Sequence, residues 1–312
     1  MKNHPDKPSV EQNLLSDILG EAEKAKVKLT PEIEQYIRDH LQAVQAKLDR
    51  GEKLTTEDFS FIDESKRMIA VYPYMNEKFG PMFPLHVKTL EKYGLLEEGG
   101  KPHQGDSPIP SIEKALLSFS VREYQVIKTF KEPILLLVPT ASFARVMQAI
   151  NSNRIEGQAE IQPANEFKEK NNKNERITNW RCIIVDSNKE WEYEADTKGF
   201  IGLEFNERLK THRKNQKPGE RGMDRMRYSI FAMELFRKAG TFDKIHYEKC
   251  VLDDDPSFTK SRIPFAWWDV EGRDADSIEE DKIKGLYFLC DDPNAISENY
   301  RFRSSVGGDI PL

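Results

Sequence analysis

Only three of the 312 residues are cysteine, at positions 182, 250 and 290. An odd, widely spaced set cannot build a disulfide framework, and reduced thiols fit a cytoplasmic setting. Long apolar runs are missing too. Ile134–Val138 is five residues long and no run exceeds it, against the roughly 20 residues a spanning helix needs. No membrane span is expected. The first fifteen residues hold Lys2, Asp6, Lys7 and Glu11 without an apolar stretch, so they do not form a secretory signal. Export by a route that reads another address stays open.

Several chemical signatures are absent as well. There is no Gly-rich loop ending in Lys-Ser/Thr, no dinucleotide fingerprint, no HExxH and no GxSxG elbow. There is no CxxC pair, and the six histidines are scattered, so a zinc centre is not expected. The spaced Asp/Asn positions of a calcium loop are missing. The pair Gly307-Gly308 follows Ser304-Ser305, without the helix that a phosphate loop requires.

What is present is enough to fold. Hydrophobic residues make up 38% of the chain and charged residues 32%, far from the composition of a disordered polypeptide. A chain of this length buries roughly 75% of the surface its unfolded form exposes. The net charge of -6 works against binding a polyanion such as nucleic acid.

The texture along the chain predicts an α+β fold. The sheet is expected to be mixed or mostly antiparallel, with four to six strands and packed helices, behind an all-helical N-terminal part. Thr30-Pro31 is a helix start, followed by Ile33, Ile37, Leu41, Val44 and Leu48 at helical spacing and by Gly51 as the stop. Thr55 or Thr56 caps a second helix with Glu57 and Asp58 in its first turn. The aromatic segment 72–83, broken by prolines, predicts an irregular packed connection. The segment 99–110, GGKPHQGDSPIP, predicts a linker with little to bury. The expected organisation is therefore a helical domain over 1–98, the linker, and an α+β domain over 111–312.

In the second part, Ile134–Val138 sits between two prolines and predicts a strand covered on both faces. The helix expected over 141–150 would make this strand half of a βαβ unit. Residues 180–186 predict a second strand and 191–194 its hairpin partner. Segment 151–176 is polar and predicts an exposed excursion. A helix is expected from Pro218 to Gly240, and two late strands over 263–270 and 283–290. Trp267 and Trp268 would point to opposite faces of the first of these.

Three groups of residues carry candidate chemistry. The basic stretch Arg208 to Arg227 holds eight Lys or Arg against Glu220 and Asp224. Lys210, His212, Arg213, Lys214 and Lys217 lie before the expected helix, and Arg221 and Arg225 would stack four residues apart on its face. Such a stretch suits an anionic protein or a small anionic ligand. It also serves as a solvated face balancing the seven carboxylates between Asp269 and Asp281. Aromatic residues do not interleave with these cations before Tyr228, which argues against single-stranded nucleic acid.

The second group is acidic: Asp253, Asp254 and Asp255, Asp291 and Asp292, and Asp186. Carboxylates at strand ends are ligands for Mg²⁺, but those before Pro256 and Pro293 are also ordinary turn residues. The third is Cys250 with His246, four residues apart, where Lys249 would favour the thiolate of an exposed sulfur. From these residues the chain is expected to be a protein-interaction or regulatory module that binds an anionic or protein partner. The alternative is a hydrolase or transferase acting on a phosphorylated or anionic substrate.

Overall fold

The computed structural model describes residues 20, 31–152, 160–163, 179–187, 213–214, 216–217, 219–237, 249–252, 263–271, 282–291, 300–302 and 304–310. Its helices are α1 (Pro31–Asp49), α2 (Thr56–Ala70), α3 (Tyr72–Phe79), α4 (Met82–Lys92), α5 (Ile112–Leu117), α6 (Val121–Ile127), α7 (Phe143–Ser152) and α8 (Arg225–Arg237). Its strands are β1 (Pro133–Val138), β2 (Glu160–Pro163), β3 (Arg181–Asp186), β4 (Glu220–Gly222), β5 (Lys249–Val251), β6 (Ile263–Glu271), β7 (Lys282–Asp291), β8 (Tyr300–Phe302) and β9 (Ser304–Asp309). The fold is α+β.

Two sheets replace the single sheet expected. One has the order β1-β3-β9-β4 and is antiparallel throughout. The other has the order β2-β7-β6-β5-β8, with parallel pairs at its two margins and antiparallel pairs inside. β1 therefore pairs antiparallel with β3 and does not open a βαβ unit. Every residue of β1 is buried, as a continuous apolar strand under helices should be. Segment 151–176 also contains β2, paired with β7.

The N-terminal helices follow their caps. Thr55 accepts from the Asp58 N–H while Asp58 accepts from the Thr55 N–H, closing a capping box at the start of α2. Lys47 reaches across from α1 to Asp58 at 2.7 Å. Segment 72–83 is helical where an irregular connection was expected. Pro73 lies in the first turn of α3, Pro81 caps α4, and Pro84 lies in the first turn of α4. Proline costs little there, because first-turn N–H groups have no partner within the helix.

Segment 99–110 is bonded to its surroundings rather than bare. The Trp180 indole donates to the Ser107 carbonyl at 2.9 Å, Arg145 pairs with Asp106 at 2.7 Å, and the Ser107 N–H donates to Thr140 Oγ1. Apolar residues from Val71 to Ile310 belong to one buried cluster, including Met75 and Leu90 before that segment and Leu136 and Phe231 after it. Two ionisable residues, His86 of α4 and Glu234 of α8, meet inside this core.

Candidate functional site

The structure divides the basic stretch into buried and exposed members. The helix expected from Pro218 begins at Arg225, because Asp224 caps it by accepting the Arg227 N–H at 2.8 Å. Residues 220–222 instead form β4, hydrogen-bonded along β9 with Arg221 opposite Ser305. Arg221 and Arg225 thus belong to different elements and do not share a helix face. Arg225 is 4% exposed, with its guanidinium 5.2 Å from the centre of the Phe143 ring. It is removed from the candidate surface.

Arg221, Lys217, Arg213 and Lys214 are exposed. Lys210 and His212 lie outside the described residues. A tight turn presents Lys217 and Arg221: the Glu220 N–H donates to the Lys217 carbonyl at 2.9 Å, and the Glu220 carboxylate accepts the Lys217 N–H at 2.8 Å. Gly219 takes a positive φ of 88° there and packs so closely on Glu123 of α6 that a Cβ would clash with that side chain.

Behind Arg221 lies a charge cluster that the sequence spacing did not reveal. Arg181 of β3 donates to Asp309 at 2.8 Å and to Asp224 at 3.3 Å. Arg227 stands 3.6 Å from Asp224 through its Nε and reaches the Gly222 carbonyl at 3.5 Å through Nη1. Burial pulls the Arg227 guanidinium below its ordinary pKa; Asp224 opposes this, and the like charges of Arg181 and Arg221 add to it. Cross-strand register assembles these groups. Arg181 faces Asp309 across β3 and β9, while β4 joins the other side of β9. Residues 128 positions apart in sequence become ion-pair partners through that pairing.

The remaining candidates fare differently. Cys250 is fully buried in β5, between β6 and β8, so the exposed thiolate expected there does not exist; His246 lies outside the described residues. Cys182 is also buried, and burial pushes its thiol pKa strongly upward. Asp186 uses its two oxygens to accept the N–H groups of Lys131 and Glu132, a turn-closing role. Asp253, Asp254, Asp255 and Asp292 lie outside the described residues, and Asp291 ends β7. Among the described residues no group of three or more His, Cys, Asp or Glu is arranged to hold a metal ion. No helix among them is long and apolar enough to cross a membrane.

One cleft of about 460 Å³ opens between α1 and α2, lined by His40, Val44, Lys47, Glu57, Phe61 and Glu64. His40 stacks on Phe61 at 4.6 Å and Lys47 is committed to Asp58, so its walls are largely engaged with each other. Compared with protein families, curated proteins and solved structures, the chain matches none.

Proposed function

We propose that this protein is an interaction module that binds an acidic partner through the surface around the turn at 217–220. One observation supports the reading. Lys214, Lys217 and Arg221 are exposed cations within eight residues of chain, and none forms an ion pair with a carboxylate among the described residues. Over the whole chain acidic residues outnumber basic ones, 53 against 47, so cations left without a counter-charge are set against the balance of the chain. Such a patch speeds encounter with an oppositely charged partner and sets its orientation.

The test is binding to a polyglutamate-coated sensor. The wild-type chain is retained at low ionic strength and released as salt shortens the Debye length to about 8 Å near 0.15 M. The triple variant Lys214→Glu, Lys217→Glu, Arg221→Glu loses retention while keeping its circular dichroism spectrum. Equal retention of the variant would remove the reading.

A further inference from the structure

We infer that Arg181, Arg221 and Arg227 together receive one external carboxylate, the side chain of an aspartate or glutamate in an acidic segment of a partner protein. The inference rests on the interaction reading above and names the group which that surface recognises. Among the described residues, three guanidinium groups meet two carboxylates, Asp224 and Asp309, leaving one positive charge without a counterpart in the cluster. Asp309 accepts from Arg181 through Oδ1. Asp224 is shared among Arg181, the Arg227 side chain and the Arg227 N–H.

Arg227 shows the shortfall most clearly. Its side chain is 7% exposed, and its buried Nε–H has no hydrogen-bond acceptor, because the 3.6 Å approach to Asp224 is an ion-pair distance beyond hydrogen-bonding range. A buried charged donor left in this state is costly unless an anion completes it. Across the β4–β9 register from Arg221, the Ser305 hydroxyl is likewise buried without a partner. Arg221 itself is exposed, ends beside Gly308 and pairs with no described carboxylate. It is the member an incoming group meets first.

Charge balance selects the ligand. One carboxylate neutralises the excess, whereas a phosphate dianion would overshoot it beside two existing carboxylates. Strand addition to β4 is a poorer match. The Glu220 N–H is taken by Lys217 and the Gly222 carbonyl by Arg227, groups an added strand would need.

The experiment is isothermal titration of the full chain with acetylated hexaglutamate amide, the hexaglutamine counterpart and inorganic phosphate, using wild type, Arg221→Gln and Lys214→Gln. Hexaglutamate binds and hexaglutamine does not. Arg221→Gln weakens binding about tenfold, whereas Lys214→Gln, outside the cluster but on the same surface, weakens it only about twofold. In ¹⁵N spectra, the Arg227 Nε–H resonance shifts on addition of hexaglutamate to wild type. Binding that survives Arg221→Gln but falls with Lys214→Gln would overturn the cluster as the site and leave the broader surface reading standing. Phosphate binding more tightly than hexaglutamate would overturn the carboxylate assignment. Absence of binding by all three probes would remove both the inference and the reading beneath it.

Discussion

His86 Nδ1 lies 3.3 Å from Glu234 Oε2, while its Nε2 lies 3.2 Å from the Leu137 carbonyl, so one buried imidazole joins α4, α8 and β1. A carbonyl only accepts, so Nε2 carries a hydrogen. The contact with Glu234 needs a second hydrogen, on Nδ1 or on the carboxyl oxygen. The two side chains form one polar pair inside the apolar core.

Removing the ring should hurt more than removing the acid. His86→Leu removes the contact with Glu234 and the bond to the Leu137 carbonyl together and is expected to cost roughly 1–3 kcal/mol. Glu234→Leu leaves the ring still bonded to the Leu137 carbonyl and costs less. Urea unfolding of both variants, and of the double leucine variant that recovers much of the loss, checks the order. A His86→Leu protein as stable as wild type would show that the pair carries no weight.

Arg221 and Arg225, four residues apart, should respond very unequally to charge reversal. Arg221→Glu changes an exposed residue and is expected to shift stability by less than about 0.5 kcal/mol. Arg225→Glu places a carboxylate against the Phe143 ring in the core and costs about 3 kcal/mol or more. Thermal melting of the two variants separates them; equal melting temperatures would contradict the buried position of Arg225.

Asp58 supplies an acid-sensitive link between α1 and α2. The Lys47 ammonium, then the Thr55 N–H and hydroxyl, hold its carboxyl down from an ordinary 3.8 to about 2. A depressed carboxyl stabilises the fold fully above its unfolded value, and that contribution is lost as pH falls from about 4 toward 2. A ¹³C NMR titration should place the Asp58 midpoint near 2, and Asp58→Asn should flatten the acid limb of the stability curve. A midpoint near 4 in the native protein would show the Lys47 contact to be ineffective.

Gly307 admits no side chain. Its φ is 101°, and a Cβ would sit 2.6 Å from the Phe119 ring and clash with the Cys182 carbonyl. Gly307→Ala is expected to destabilise the protein by roughly 1–3 kcal/mol. Trimming the ring in a Phe119→Ala background should not restore it, because the carbonyl remains. A neutral Gly307→Ala would mean that β9 does not run so close to β3.

Elements whose signal is local were legible in the sequence. The apolar run between Pro133 and Pro139 became β1, residues 181–186 became β3, and the two late strands fell on β6 and β7. The cap at Thr55 was equally direct. Prolines misled at 73, 81 and 84, because their effect depends on where a first turn begins. Proline also misled at 218, where a helix start was expected while Asp224, the actual cap, stood six residues on.

The candidate site was harder to see because pairing creates it. β4 is Glu-Arg-Gly, three residues without periodicity, and becomes a strand only when β9 lies beside it. No spacing rule connects Arg181 with Asp224 and Asp309. One local signal was available for the buried pair. Glu234 interrupts the apolar series Ile230, Phe231, Met233 and Leu235, and an acid in such a helix calls for an internal partner.

The position of β9 between β3 and β4 bears on how the molecule assembles during translation. β3 and β4 share no hydrogen bonds, so the four-stranded sheet cannot close until residues 304–309 have left the ribosome. Until then the edge of β3 that β9 covers has no partner strand within this sheet. Pairings that span more than a hundred residues are slow to form, and a strand edge left uncovered in that interval is open to pairing with another chain.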